Sequence, residues 1–172
     1  MKNVALTSID LRLENYDEAW VRSFYRELLT RIDSTGVRGA LAAVAPFRGV
    51  RMVGIALEGG SPASPVHEAN SNLVSGNSFE APGIHLAQGR TFSDAEAARG
   101  DAVAVISGAM ARAYWKDQNP LGKRFLYGAK GRMQPAEVIG VARDVRSIHI
   151  HTPDGPLFYS IFQAGRIRPS PW

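Results

Sequence analysis

Hydrophobic periodicity first separates one long helix from a series of short strands. Trp20, Val21, Phe24, Leu28 and Ile32 recur at helical spacing, with Arg22, Arg26, Glu27 and Arg31 on the opposite side. The pattern predicts a helix capped at Asn15 or Asp17 and running to about Ile32, with Gly36 after its last turn. Its apolar stripe reads as a core-packing face rather than as a cofactor box. Ahead of it, residues 4–13 alternate loosely and predict an extended lead-in. Behind it, Val37 to Ala45 reads as a buried strand closed by Pro46. Arg51 to Glu58 alternates as a half-exposed strand, and His67 to Ser75 as another.

The middle has a different texture. Gly76 to Gly83 predicts a short helical turn carrying Phe79, and Gly89 to Phe92 a turn. Ser93 is placed to cap a short helix, with Glu96 three residues on as the reciprocal partner of a capping box. Ala102 to Ile106 is a short apolar strand, and Ser107 caps a helix through Trp115 that Asn119-Pro120 stops. Lys123 to Tyr127 and Ala136 to Val141 predict strands flanking a polar hairpin, and Leu157 to Phe162 a last strand. Gly-Arg-Ile-Arg from 165 onward has no pattern. Helix and strands are partly segregated, which favours an α+β fold over a doubly wound sheet.

Composition narrows the functional classes. With 45% apolar and 21% charged residues in 172, the chain has the balance of a folded domain. It contains no cysteine, which removes disulfides, thiolate metal sites and cysteine nucleophiles. The net charge of +4 directs attention to nucleic acid or an anionic surface. Residues 123–172 hold the excess, in Lys123, Arg124, Lys130, Arg132, Arg143, Arg146, Arg166 and Arg168. They form no helical stripe and no aromatic platform interleaves with them, which argues against nucleic acid. No run approaches the length of a membrane span, and Met1 to Asp10 is too polar for a signal peptide.

Candidate chemistry has simpler explanations throughout. Asn119 to Arg124 contains Gly122-Lys123 but lacks the earlier glycine and the following hydroxyl residue of a phosphate loop. His149 and His151 share a face if that stretch is extended, yet a zinc site needs three or four ligands, and only Asp144 and Asp154 lie near in sequence. Ser75 and Ser107 lack a nucleophile-elbow context. Asp17-Glu18 and Asp94/Glu96 stand at helix starts, where the dipole accounts for them. No catalytic residue, cofactor site or metal site is expected.

In order, the central motifs are Val74 to Phe79, Gly89 to Phe92, Val103 to Ser107, Tyr114-Trp115, Pro120 to Lys123, Val138 to Arg146 and Pro156 to Gln163. Together they resemble the periplasmic core domain of MacB-like and FtsX-like ABC transporter permeases, over residues 5–163. Phe79 stands one residue late, and Ser160 replaces the proline usual after the tyrosine. The resemblance implies a two-lobed α+β fold. Residues 1–76 and 136–172 would build a porter-like βαβ lobe, and 77–135 an inserted smaller α/β, sabre-like, lobe. The motif residues Gly76, Phe79, Gly89, Arg90, Phe92, Pro120, Leu121, Gly122, Lys123, Gly140, Asp144 and Tyr159 would be structural. Family members continue with a further strand, helix and strand and then membrane helices, so an incomplete copy with an open sheet edge is expected.

The function so implied is a non-catalytic extracytoplasmic domain that couples membrane-helix motion to substrate or partner proteins. Its partners would be the transmembrane helices and cytoplasmic ATPase domain of the parent transporter, a periplasmic adaptor or exported substrate, and a second copy in the full transporter. The rival readings are a free-standing module binding a small molecule or lipid, and a hydrolase with an unrecognised site.

Overall fold

The computed structural model describes residues 5–9, 16–37, 39–49, 51–58, 67–80, 83–147 and 151–161. Within them lie three helices, α1 (Glu18–Ser34), α2 (Asp94–Arg99) and α3 (Gly108–Tyr114). The strands are β1 (Met52–Leu57), β2 (His67–Val74), β3 (Leu86–Gly89), β4 (Val103–Ser107), β5 (Arg124–Ala129), β6 (Arg132–Ala142) and β7 (Leu157–Ile161).

The strands pair in the order β3-β6-β4-β7-β2-β1-β5, and β5 pairs in addition with β6. That extra pairing closes the path β6-β4-β7-β2-β1-β5-β6 into a ring, with β3 laid along β6 outside it. The two parallel steps are β4 with β6 and β7 with β2, and the remaining steps are antiparallel. Closure satisfies the backbone groups that an open edge would leave exposed. The expected open edge is therefore absent from the ring, and among the described residues β3 is the strand with only one strand neighbour.

Side-chain alternation assigns the two faces. Ile55, Ala69, Ala104, Ile106, Phe125, Ala136, Val138 and Phe158 form one buried cluster together with Met110 of α3 and Trp115, which caps its end. All six ring strands contribute, so this cluster is the interior of the ring. α3 leaves the end of β4 and covers the opening beside it: Trp115 meets Phe125 edge-on, and Tyr114 donates its hydroxyl to the Glu68 carbonyl. The opposite face of the same strands carries Val74, Val105, Ala142, Leu157, Tyr159 and Ile161, covered by Phe79 and Phe92. β7 is therefore buried on both faces, which explains its unbroken Leu-Phe-Tyr-Ser-Ile. Ser160 stands in this strand between Leu73 and Ala104, where a proline would bring no N–H to the ladder.

Sequence expectations and structure agree on most elements and differ at four places. Residues 39–45 form no strand and make only a bridge, Ala42 with Val74. Their backbone is tied instead by side chains: Asn72 holds both the N–H and the carbonyl of Val44, and Ser75 accepts from Leu41 N–H. The polar hairpin shrinks to a tight turn because Arg132, Met133, Gln134 and Pro135 all pair with β5. β3 has no counterpart among the expected strands, and its last residue, Gly89, falls in the predicted turn. Finally, α1 contributes no residue to either buried cluster: Trp20 is 41% exposed, and Phe24, Leu28 and Ile32 are only half-buried. Its N-cap is Asp17, whose carboxylate accepts from Trp20 N–H at 2.7 Å. Of the expected lead-in at 4–13, residues 5–9 form no strand, while 4 and 10–13 lie outside the described residues, as do His149, Phe162, residues 59–66 and the patternless end.

Strands from both expected lobes occupy one sheet: β4 of the 77–135 segment lies between β6 and β7. Phe158 stands at the middle of the interior, 5.3 Å from the ring of Phe125 and 4.9 Å from that of Tyr127. Phe158→Ala should therefore lower unfolding free energy by about 3–5 kcal/mol. Urea denaturation followed by circular dichroism measures it.

Candidate functional site

The motif residues are gathered in three places on and around β6, and each place performs a local structural task.

The first is a backbone crossing. Gly89, at φ 72°, ends β3 where a Cβ would collide with the Ile139 carbonyl, and a Cβ on Gly140 would collide with the carbonyl of Arg90. Glycine at each position is what lets the other chain approach. Arg90 N–H donates to the Ile139 carbonyl at 3.1 Å, and Gly122 N–H to the Val138 carbonyl at 2.8 Å. Leu121 packs beside Gly89, Pro120 is buried behind the turn, and Lys123 N–H closes that turn on the Pro120 carbonyl. The Gly89-Arg90, Pro120-to-Lys123 and Ile139-Gly140 motifs thus meet at one point.

The second is the contact between Arg90 and Glu96. Ser93 and Glu96 form the capping box of α2, with Ser93 N–H and hydroxyl both donating to Glu96 Oε2. Arg90 adds a two-pronged contact to the same carboxylate, at 2.8 and 2.7 Å. The Arg90 hydrogen bond, assisted by those from Ser93, holds the Glu96 carboxyl down to about 2 against the opposing effect of burial. Glu96 raises the Arg90 pKa in return. Beside this pair Phe79 packs edge-on against Tyr159 at 5.0 Å and tilted against Phe92 at 5.9 Å. Burial, and then the Asp154 carboxylate, push the Tyr159 phenol up. Gly76 lies near Asp94 with room to spare.

The third is the start of α3. Asp144, just beyond β6, accepts from Ala109 N–H at 2.6 Å and from Arg112 at 2.5 Å. Gly108 leaves the space that this carboxylate occupies. Ser107 caps the helix by accepting from Met110 N–H, and it also accepts from Leu157 N–H, each at 3.1 Å. One hydroxyl therefore joins α3 to β7.

One contact of the same kind escaped the sequence reading, that of Asp154 with Ser147. Asp154, buried at 3% exposure, accepts from Ser147 N–H at 2.9 Å and its hydroxyl at 2.5 Å. Both serve to close the loop before β7. A buried Asp–Ser pair seven residues apart leaves no periodic signal to find it by. Asp144 and Asp154 are thus spent on helix and loop, and His151 is exposed. Among the described residues no three His, Cys, Asp or Glu side chains come together as a metal site.

The family model described as MacB-like periplasmic core domain matches residues 7–168. Among solved structures, the chain resembles the periplasmic region of MacB from Actinobacillus actinomycetemcomitans, with 20% identity and a TM-score of 0.51 over 80% of this chain and 57% of that one. It resembles the extracellular domain of the noncanonic ABC-type transporter YknZ from Gram-positive bacteria at 21% identity and 0.54, over 86% and 63%. A domain of a permease protein from Porphyromonas gingivalis gives 20% and 0.51, over 78% and 55%. The chain therefore spans less than two thirds of each of these structures. No curated protein matches it. No helix among the described residues is long and apolar enough to cross a membrane.

The Glu96 carboxyl sets a pH dependence. Its folded pKa lies below the unfolded one, so its contribution is complete above about pH 4.5 and is lost as pH falls towards about 2. Glu96→Gln should cost about 1–2 kcal/mol at pH 7, since Arg90 is half-exposed and solvent screens the charge part. The variant and the parent should converge in stability as pH drops through that window, as urea titrations at pH 7, 4 and 2.5 would show.

Proposed function

Because the chain belongs to the family of MacB-like periplasmic core domains, we propose that it transmits movement rather than performing chemistry. In this reading the domain sits outside the membrane in an ABC transporter permease and passes the motion of membrane helices to a substrate or partner protein. The ATP-hydrolysing domain, a periplasmic adaptor and an exported molecule are the partners that such a role calls for.

The observation that carries this reading is the way the motif residues are used. Gly89 with Gly140 and Asp144 with the α3 N-terminus each tie two elements distant in sequence, and Arg90 with Glu96 braces the turn that leads into α2. Rigid cross-ties suit a body that must move as one piece, because a soft domain would absorb displacement by local opening. The division into a porter-like lobe and an inserted sabre-like lobe fits that reading in modified form. Since β4 and β5 are bonded into the sheet with β1, β2, β6 and β7, we propose that both segments move together.

The test uses the permease that carries this domain. Asp144→Ala releases α3 from β6 while leaving the ring strands paired. Export should fall several-fold with ATP hydrolysis retained, and the isolated domain should keep its circular dichroism spectrum. Phe158→Asp, which breaks the interior, should abolish export. Full export with the interior broken would overturn the coupling role.

A further inference from the structure

Between Asp33 and Glu58 the chain carries no acidic residue, and the middle of that stretch holds a turn with an unusual occupant. Arg48 N–H donates to the Ala45 carbonyl at 3.1 Å, closing a four-residue turn over Ala45, Pro46, Phe47 and Arg48. Pro46 takes its second position and Phe47 its third, where the backbone is left-handed at φ 61°. That is the arrangement of a type II turn, which favours glycine at the third position because a bulky side chain is strained there. Phe47 is nonetheless 50% exposed, so packing within the domain does little to explain the strain. Such a backbone persists only where its neighbours hold it, and here they do on both sides. Asn72 holds Val44 by its N–H and carbonyl, at 3.0 and 2.8 Å. Phe47 N–H donates to the Ser147 carbonyl at 2.6 Å, and Ser147 is fixed in turn by the buried Asp154.

The charge beside this turn has one sign. Arg48, Arg51 and Arg146 are exposed, and none of them forms an ion pair among the described residues. The carboxylates nearest to Arg146 in sequence are engaged elsewhere, Asp144 by Arg112 and the α3 N-terminus and Asp154 by Ser147. Gly49, just past the turn, has nothing within 4 Å of where a Cβ would stand. None of the residues lining the described cavities belongs to the turn, so it offers a projecting ring rather than a groove. An aromatic ring flanked by unpaired arginines matches a layer that is anionic at its surface and apolar beneath, which is the chemistry of a phospholipid bilayer. An acidic protein segment would satisfy the arginines but not the ring, which has no groove beside it to share with a partner. We propose that the turn over residues 45–48 docks this domain onto an anionic phospholipid surface, with Phe47 below the headgroups and Arg48, Arg51 and Arg146 on their phosphates. This stands independently of the coupling role. Each arginine raises partitioning about five-fold, and the half-exposed ring about ten-fold. Together they give an association constant on the order of 10³ M⁻¹, below that of a single myristoyl chain. That is weak for a free domain and sufficient for one held near a bilayer by its own permease.

Co-sedimentation of the full chain with vesicles tests the proposal. Binding should occur on phosphatidylglycerol mixed with phosphatidylcholine, half-saturating at about 1 mM lipid, and not on phosphatidylcholine alone. It should weaken several-fold between about 0.01 and 0.15 M salt, because screening shortens the reach of the arginines. Arg48→Gln combined with Arg146→Gln should weaken it about 25-fold. Phe47→Gly separates a lipid contact from a packing role. It should cut vesicle binding about ten-fold while the thermal midpoint stays equal or rises, because glycine relieves the left-handed strain. A lowered midpoint with vesicle binding unchanged would assign Phe47 to packing and overturn the proposal. No binding up to about 10 mM lipid would overturn it too, as would equal binding to phosphatidylcholine alone. So would a chain that ignores vesicles yet binds polyglutamate in a Phe47-dependent way, which marks an acidic protein partner.

Discussion

The rest of the structure depends on β6, the strand that hydrogen-bonds to three others. Its first half pairs with β5, its second half with β4 on one edge and β3 on the other. Closure of the ring requires that one strand serve two neighbours on the same edge in succession, first β5 and then β3. The switch occurs at Val138–Gly140, where Gly122 bonds to Val138 and Arg90 to Ile139. Three chain segments approach a single backbone there, and the approach is close enough that only hydrogen fits at Gly89 and Gly140. Any side chain at either site forces the β3 turn away from β6.

A second consequence follows from the irregular pairing at that point. Ala104 pairs with Val138 but Val105 pairs with Gly140, so Ile139 is an inserted residue, a bulge. The bulge resets the alternation: Val138 and Val141, three apart, both belong to the interior cluster, while Ile139 and Ala142 belong to the outer one. Without the shift, the second half of β6 would turn its apolar residues to the wrong faces. The bulge and the glycine crossing are therefore one feature. Bending the strand brings Gly140 under Arg90, and the twist it adds helps the sheet to close.

How much of this was legible beforehand depended on whether the determinant was local. The α1 cap at Asp17, the capping box of Ser93 and Glu96, and the Ser107 cap are decided within four residues, and each reads directly from sequence. The strand limits in β5–β6 do not. Arg132 to Pro135 look like loop because they are polar, yet they pair because β5 lies opposite and solvent wets their outer side. The bulge at Ile139 was hidden in Val-Ile-Gly-Val, an apolar run with no phase of its own. Segment 39–45 looked like a strand from its composition. Its place beside β2 is taken only briefly, because Asn72 and Ser75 satisfy its backbone with side chains. The motif residues were found by resemblance, and their contacts became readable only in three dimensions: Gly89 with Gly140 and Asp144 with Ala109 across long stretches of chain, Arg90 with Glu96 across six residues.

The same distinction bears on α1. Helical periodicity reports that one face is apolar, but not what covers it. A core helix and an interface helix carry the same stripe, because both remove it from water and the driving force is indifferent to which chain supplies the cover. With the ring closed and both of its faces furnished, by α3 inside and by Phe79, Phe92 and α2 outside, the interior clusters hold no residue of α1. Among the described residues Trp20 stays 41% exposed and Phe24 half-buried, so the stripe reads the same whether or not the sheet takes it up.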